Sequence, residues 1–283
     1  MEPVLITGCS SGIGRATALA LAQRGLTVWA TARRPESLDA LADAGCRVLP
    51  LDVTDEQSRI AAVEAVEAEH GSVGTLVNNA GYAQGGPLEE VRLDDVRRQF
   101  ETNVFGPLRM CQLVLPAMRA AGRGRIVTMG SAAGLIGTPG ASAYGMTKWA
   151  LENMADSLRY EVRRFGVDVV LMEPGGVLTN FAGTETSTWP ATDGPYTAFR
   201  HNTHKQMERF FREGSRVVSK PEDVAALVVR AVTARRPRTR YKIGVAPRLM
   251  PLLYRLLPNR WWDRFMAGQF PMDQPPSGRL STA

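Results

Sequence analysis

Three side chains that could share one reaction stand close together in the sequence: Ser131, Tyr144 and Lys148. A free phenol titrates near pH ~10, so a tyrosine alone is a poor acid or base at neutral pH. A lysine ammonium four residues further along one helix face favours the phenolate and lowers the tyrosine pKa, and an adjacent oxidised nicotinamide would lower it further. Ser131 can hydrogen-bond a substrate oxygen and hold it against the tyrosine hydroxyl, and Lys148 can also reach a ribose. The three residue types therefore predict proton transfer at a substrate oxygen.

The segments before and after these residues predict a strand and a helix that would position the three side chains. The run Gly124–Met129 predicts a buried strand that ends just before Ser131, where open α/β sheets bind their ligands. Residues 149–165 predict a long helix, which Tyr144 and Lys148 would open on one face. A Tyr-x-x-x-Lys pair is common by chance, so the interpretation depends on the rest of the chain.

A glycine-rich turn follows the first predicted strand, residues 4–7, and precedes a predicted helix over 15–23. Glycines let the backbone approach a pyrophosphate, and a helix N-terminus supplies free N–H groups and the positive end of its dipole. At the start of a strand–turn–helix unit this pattern predicts a phosphate-binding turn. The turn reads Gly8-Cys9-Ser10-Ser11-Gly12-Ile13-Gly14.

The end of the second predicted strand, residues 26–31, indicates the kind of dinucleotide. An acidic residue at the end of this strand would bind the ribose 2′-hydroxyl of NAD. Here Ala32 occupies that position, and Arg33 follows it. An arginine there suits a 2′-phosphate, so the sequence predicts NADP(H) in preference to NAD(H). The other interpretation is a solvated arginine pair before a proline-led helix. Because Ser10 and Ser11 give the glycine turn no basic side chain, the preference depends on Arg33.

Further predicted strands alternate with helices through most of the chain. Seven such strands predict an α/β fold: a single Rossmann-like, doubly wound domain whose seven-stranded parallel sheet carries helices on both faces. We expect this domain over residues 1–247, with a substrate lid at about 181–218 and a C-terminal helical extension and loose tail over 248–283. The other predicted strands are 46–51, 75–78, 167–172 and 241–245. Capping boxes are predicted at 54–57 and 219–222. A long helix is predicted over 93–118, with a kink near Asn103.

Composition indicates a globular protein without a predicted membrane span or metal site. Of 283 residues, 44% are hydrophobic and 22% charged, and no apolar run approaches the ~18 residues of a span. The N-terminus begins as a strand and does not resemble a signal peptide. Three scattered cysteines and three histidines have no metal-ligand spacing. We therefore expect a cytoplasmic protein that could also contact a membrane surface from outside the bilayer. The net charge of +6 permits anionic partners.

In this order and context, the residues resemble the short-chain dehydrogenase/reductase family over nearly the whole chain, to about residue 245. The resemblance implies that Asp52 contacts the adenine, that Asn103 holds a proton-relaying water, and that Ser131 orients the substrate. It also implies that Tyr144 is the acid/base and that Lys148 lowers its pKa and binds the nicotinamide ribose. The matching motif positions are Thr7, Gly8, Gly12, Gly14, Asp52, Asn78, Asn79, Ala80, Gly81, Asn103, Ser131, Tyr144, Lys148, Pro174, Gly175 and Thr179. The expected cofactor-binding residues are Gly8, Ser10, Ser11, Gly12, Ile13, Gly14, Arg33, Asp52, Val53, Asn79, Ala80, Gly81, Tyr144, Lys148, Pro174, Gly175, Val177 and Thr179.

Within that family, residues 30–34, the long lid and the strand at 240–244 look like the 17β-hydroxysteroid and retinol dehydrogenase group. The resemblance implies an NADP(H)-dependent enzyme that interconverts a hydrophobic secondary alcohol and its ketone. A steroid, a retinoid and a fatty-chain ketone all remain open as substrates, as does the direction of reaction.

The residues fit two other classes of function less well. A cofactor-sensing regulator of the same fold would be expected to lack Tyr144 or Lys148, and both are present. Nucleic-acid binding through the basic residues of 235–242 is disfavoured because few aromatics interleave with them, so a solvated turn is the better interpretation.

Apolar residues outside the predicted site indicate an assembly and a C-terminal surface. Trp149 and Tyr160 fall almost opposite the predicted catalytic face, and the resemblance implies a homodimer or homotetramer built on this helix and that of Asn103. In residues 248–270, Pro251 and Pro258 should divide the chain into short helices. The segment's apolar residues either close the substrate pocket, which we favour, or lie on an anionic membrane.

Overall fold

The computed structural model describes residues 2–179, 189, 193–211 and 218–271, and it is built on a seven-stranded parallel sheet. The strand order is β3-β2-β1-β4-β5-β6-β7, and every neighbouring pair is parallel. This confirms the predicted Rossmann-like fold class. The strands are β1 (Val4–Ile6), β2 (Val28–Ala32), β3 (Arg47–Pro50), β4 (Thr75–Asn78), β5 (Gly124–Met129), β6 (Val167–Pro174) and β7 (Arg240–Ile243).

Helices connect the strands and cover both faces of the sheet. In the described residues they are α1 (Gly12–Ala22), α2 (Asp39–Asp43), α3 (Glu56–His70), α4 (Leu93–Phe100), α5 (Gly106–Ala120), α6 (Ser142–Val162), α7 (Thr197–Phe210), α8 (Pro221–Thr233), α9 (Ala246–Leu256) and α10 (Asn259–Gln269). Much of the predicted lid at 181–218 and of the predicted tail lies outside the described residues; α7 is the described helix of the lid.

Alternating side chains along the strands form two separate cores. In β1, Val4 and Ile6 face the core beneath α1 and α8, whereas Leu5 faces the core beneath α3, α5 and α6. In β5, Val127 belongs to the first core and Ile126 to the second. Because both faces are buried, the strands are almost continuously apolar, as expected of a parallel sheet.

Both predicted capping boxes are displaced by one residue. Asp55, and not Thr54, caps α3: its carboxylate accepts the Ser58 N–H at 2.7 Å. Thr54 lies one residue before the cap position, and its hydroxyl donates to Asp52 at 2.7 Å. Helix α8 begins in the same displaced way.

At the start of α8, the Asp223 carboxylate accepts the backbone N–H of Lys220 at 2.9 Å. The predicted box had paired Ser219 with Glu222. Pro221, whose fixed φ and missing N–H suit the first helical position, makes Lys220 the cap residue.

The predicted kink near Asn103 is present as a π-helical segment, Glu101–Phe105, between α4 and α5. Gly106 follows it, and its N–H bonds to the Glu101 carbonyl. A Cβ at Gly106 would lie 2.9 Å from the Val53 carbonyl oxygen, so glycine lets α5 approach the end of β3 closely. The interruption therefore brings α5 against the predicted cofactor site.

The prediction that Pro251 divides the C-terminal segment is wrong, whereas Pro258 does separate α9 from α10. Pro251 lies inside α9 just after its first turn, where its missing N–H costs a single intrahelical bond. None of the helices that the structure describes is long and apolar enough to cross a bilayer.

Candidate active site

A cavity of about 1300 Å³ opens at the carboxyl ends of the strands. Segments that follow β1 to β6 contribute to its walls, as does the start of α6. All predicted site residues except Asn103 line it. They are Gly8, Ser10, Ser11, Gly12, Ile13, Gly14, Arg33, Asp52, Val53, Asn79, Ala80, Gly81, Ser131, Tyr144, Lys148, Pro174, Gly175, Val177 and Thr179.

The glycine turn forms a cradle that side chains would fill. Gly8 and Gly12 have φ of 73° and 56°, a region that other residues rarely adopt. A Cβ at Gly14 would lie 2.3 Å from the Gly8 carbonyl oxygen, and one at Gly12 would lie 3.2 Å from Thr179 Cγ2. Ser11 makes no side-chain cap, so it does not occupy the first N–H groups of α1. These features fit a pyrophosphate.

Thr7 and Asn79 fasten the turn to the end of β4. The Thr7 hydroxyl accepts the N–H groups of Asn79 and Ala80 at 3.0 and 2.9 Å. Asn79 Nδ2 in turn donates to the carbonyls of Thr7 and Gly8, both at 2.9 Å. Thr7 belongs to the motif, but the sequence indicated no role for it. The structure shows that its hydroxyl connects the end of β1 with the end of β4.

Arg33 and Asp52 lie at the wall formed by the ends of β2 and β3. Arg33 is exposed and makes no ion pair with any described residue. Asp52 Oδ1 accepts the N–H and the hydroxyl of Thr54 at 2.9 and 2.7 Å, which fixes the carboxylate. A free guanidinium beside a fixed carboxylate fits the adenosine end of a dinucleotide.

Tyr144 and Lys148 meet at the start of α6, as their spacing predicts. Lys148 Nζ lies 5.6 Å from the centre of the Tyr144 ring and donates to the Met129 carbonyl at 2.7 Å. Burial lowers the pKa of Lys148 to about 8, although the negative charge of Glu152 opposes this change. The Ser131 hydroxyl accepts the Ala133 N–H at 3.2 Å, which leaves its own proton available to a substrate oxygen.

Asn103 is placed differently from the other predicted catalytic residues, because it is buried and does not line the cavity. Its Nδ2 donates to the Tyr82 carbonyl at 2.8 Å and to the Thr147 hydroxyl at 3.2 Å. Its Oδ1 accepts the Tyr82 N–H at 3.1 Å. The side chain therefore ties the π-helical segment to α6 and to the cavity wall at Tyr82, and a water relay at Asn103 stays a prediction.

A buried charged cluster behind Lys148 was missed by sequence reasoning. Arg240, at the start of β7, forms ion pairs with Glu152 on α6 and Glu173 on β6, and its Nη2 lies 2.7 Å from Asp156 Oδ2. The prediction of a solvated basic turn is therefore wrong for Arg240. Its long side chain supplies a cation to Glu173, which is fully buried, and to Glu152, which is nearly so.

Glu152 connects this cluster with Lys148 of the candidate site. It follows Lys148 by one helical turn, and a Cβ at Gly130 would lie 3.4 Å from its Oε1. Burial raises the pKa of the Glu152 carboxyl to about 7, although the hydrogen bond from Arg240 opposes this. The sequence signal was the acidic residue four positions after Lys148, on the face that enters the core.

The far end of the cavity is apolar. Trp189 stacks on Phe199 of α7, with 6.1 Å between ring centres. The predicted lid and the C-terminal segment both contribute lining side chains, so part of that segment faces the pocket. The apolar lining consists of Ile136, Trp189, Met207, Phe210, Phe211, Leu249, Met250, Phe265, Met266 and Phe270.

A parallel α/β sheet, a glycine cradle at the first helix and a Tyr–Lys pair beside it define a dinucleotide-binding α/β protein. Residues 2–189 also match the family model described as short chain dehydrogenase. The chain belongs to the short-chain dehydrogenase family and is an oxidoreductase.

Two curated relatives are similar over most of their length. The chain is 35% identical to a 3-ketodihydrosphingosine reductase of Bacteroides thetaiotaomicron, with 86% of this chain and 89% of that protein covered. It is 31% identical to an NADPH-dependent 3-dehydrocapnine reductase of Ornithobacterium rhinotracheale, with 93% and 95% covered.

Solved structures show the same fold. A short-chain dehydrogenase from Streptomyces avermitilis is 34% identical, with a TM-score of 0.78 and coverage of 94% of this chain and 97% of that one. A serine dehydrogenase complexed with NADP+ is 28% identical, with a TM-score of 0.75 and coverage of 86% and 95%.

Proposed function

We propose that this protein is an NADP(H)-dependent oxidoreductase that interconverts a hydrophobic secondary alcohol and its ketone. The observation that carries the proposal is a single cavity that joins the glycine cradle, the Tyr144–Lys148 pair and an apolar wall. A steroid, a retinoid and a lipid-like chain all suit such a wall. The names of the two reductases favour ketone reduction of a lipid-like substrate.

The glycine cradle, Arg33 and Asp52 would hold the dinucleotide, and the free guanidinium of Arg33 favours one with a 2′-phosphate. The 1300 Å³ cavity is large enough for a dinucleotide and a substrate together. When bound, the nicotinamide supplies or accepts the hydride.

The chain's own residues orient the substrate and move the proton. The Ser131 hydroxyl donates to the substrate oxygen and fixes its position. The Tyr144 hydroxyl gives its proton to that oxygen during reduction and takes it back during oxidation. The Lys148 ammonium, held by the Met129 carbonyl, stabilises the phenolate that forms.

The test combines a substrate panel with the variant Tyr144→Phe. Hydrophobic ketones are assayed by NADPH absorbance, with NADH in parallel. Because the variant lacks only the proton donor, its kcat should fall by about 10²–10⁴-fold while NADPH affinity stays nearly unchanged.

Tyr160→Phe, at an exposed position of the same helix, is the matched control and should keep full activity. If Tyr144→Phe retained more than a few per cent of wild-type kcat, Tyr144 would not be the acid/base. A panel without any NADPH oxidation would contradict the proposed reaction itself.

A further inference from the structure

Helix α9 presents an apolar stripe to solvent. Its members are Val245, just before the helix, and Leu249, Leu252 and Leu256, which recur every three or four residues. At about 100° per residue they occupy one narrow face of the helix. Leu252 and Leu256 are 52% and 70% exposed, so the part of the chain that the structure describes leaves them largely uncovered.

Helices α9 and α10 also line the cavity, in part through other side chains. Met250 of α9 and Met266 and Phe270, at the end of α10, line its apolar wall, whereas Leu252 and Leu256 do not. Val245 and Leu249 belong to both the wall and the stripe. The other half of the stripe, Leu252 and Leu256, therefore lies outside the pocket lining.

Positive charge flanks the stripe. Arg248 and Arg255 fall beside it on the helical wheel, and Arg260 and Arg264 follow on α10. All four are exposed, and none makes an ion pair with another described residue. Asp263 is the single acidic residue between positions 246 and 271.

Trp261 extends the exposed apolar surface onto α10. It is 69% exposed, whereas its neighbour Trp262 is buried against Tyr254, with 5.2 Å between ring centres. Tryptophan is favoured at membrane interfaces because its ring is apolar while its N–H can still reach a polar partner.

We propose that α9 and the start of α10 dock this protein on an anionic phospholipid surface. The leucines and Trp261 enter the boundary between headgroups and acyl chains, and the arginines pair with the phosphates. Exposed leucines beside exposed arginines that form no ion pair with the described residues, with Asp263 as the single acid of 246–271, suit a negatively charged apolar boundary better than they suit water. This proposal goes beyond the proposed function and does not depend on it.

The experiment measures co-sedimentation of the full chain with vesicles. One set contains phosphatidylcholine with about 30% phosphatidylglycerol, and the other contains phosphatidylcholine alone. The wild type should bind the anionic vesicles at least tenfold more tightly, and binding should weaken as salt rises.

The stripe is tested with Leu252→Glu combined with Leu256→Glu. Both positions are exposed and outside the cavity, so the fold should be retained, as checked by circular dichroism and melting temperature. Binding should fall at least tenfold. Leu88→Glu, at a 57% exposed position elsewhere, is the matched control and should bind like the wild type.

Several results would overturn the proposal. They are absence of vesicle binding by the wild type, equal binding to both vesicle sets, and a folded double variant that still binds fully. Light scattering without vesicles tests whether the stripe serves in self-association instead. If the double variant changes only the oligomeric state, the stripe is an interface between copies of this chain and the proposal is overturned.

Discussion

Replacing Glu152 with glutamine should change how the stability of this protein depends on pH. Burial raises the pKa of this carboxyl from 4.5 to about 7, so the folded state holds its proton more tightly than the unfolded state does. At about 1.36 kcal/mol for each tenfold change in proton affinity, the effect amounts to up to about 3 kcal/mol.

The sign follows from proton binding. Between pH 4.5 and 7 the folded state binds more protons at Glu152, so this group's contribution to the free energy of unfolding falls as pH rises. The contribution is fully present below pH 4.5 and is lost above pH 7. Glu152→Gln lacks it at every pH.

Urea unfolding of wild type and variant at a series of pH values between 5 and 8 measures this difference. The free energy of unfolding of the wild type should fall relative to the variant by up to about 3 kcal/mol across the series. Glu161→Gln, on the exposed part of the same helix, is the matched control for the amide substitution. A difference for Glu152→Gln that is flat, or that rises with pH, would refute the reasoning.

The same variant gives a second readout at the active site. The negative charge of Glu152 raises the pKa of Lys148 against the larger effect of burial. Without that charge the Lys148 pKa should drop further below about 8. If Lys148 acts as proposed, the alkaline limb of the kcat/KM profile should move to lower pH.

Two further predictions concern the cofactor and the assembly. Arg33→Ala combined with Ala32→Asp should move preference from NADPH towards NADH, since a charge-assisted contact to phosphate is worth roughly 1.5–3 kcal/mol; equal wild-type kcat/KM for both cofactors would contradict this. Trp149 and Tyr160 are 49% and 73% exposed, so we expect a dimer or tetramer through this helix face. Trp149→Glu should weaken that assembly in light scattering, and a monomeric wild type at micromolar concentration would count against it.

The parts of the site that the sequence predicted depend on short-range patterns. The turn from Gly8 to Gly14 and the pair Tyr144 and Lys148 each lie within one helical turn or one loop, so their residue types and spacing already determine their geometry. The alternation of short apolar strands with helices likewise predicted the parallel sheet and the edge at which these groups meet.

What the sequence did not reveal depends on contacts between distant segments. Arg240 reaches Glu152 and Glu173 across 88 and 67 positions, and a run of basic residues gives no sign of which one will be buried. The side-chain amide of Asn103 bonds to Tyr82 and Thr147, which are 21 and 44 positions away and which its place in the motif does not reveal. The helix caps likewise lie one residue after the predicted ones, at Asp55 and Lys220.

The position of Arg240 has a consequence for biosynthesis. The chain emerges from its N-terminus, so α6 and β6 are made well before β7 supplies the cation for Glu152 and Glu173. Until then Glu152 and Glu173 lack Arg240 as a partner, and burying the two carboxylates together is costly. A chain that stops short of β7 therefore lacks the charge that lets the last edge of the sheet close. Completion of the fold beside the candidate active site is coupled in this way to synthesis of the chain through β7.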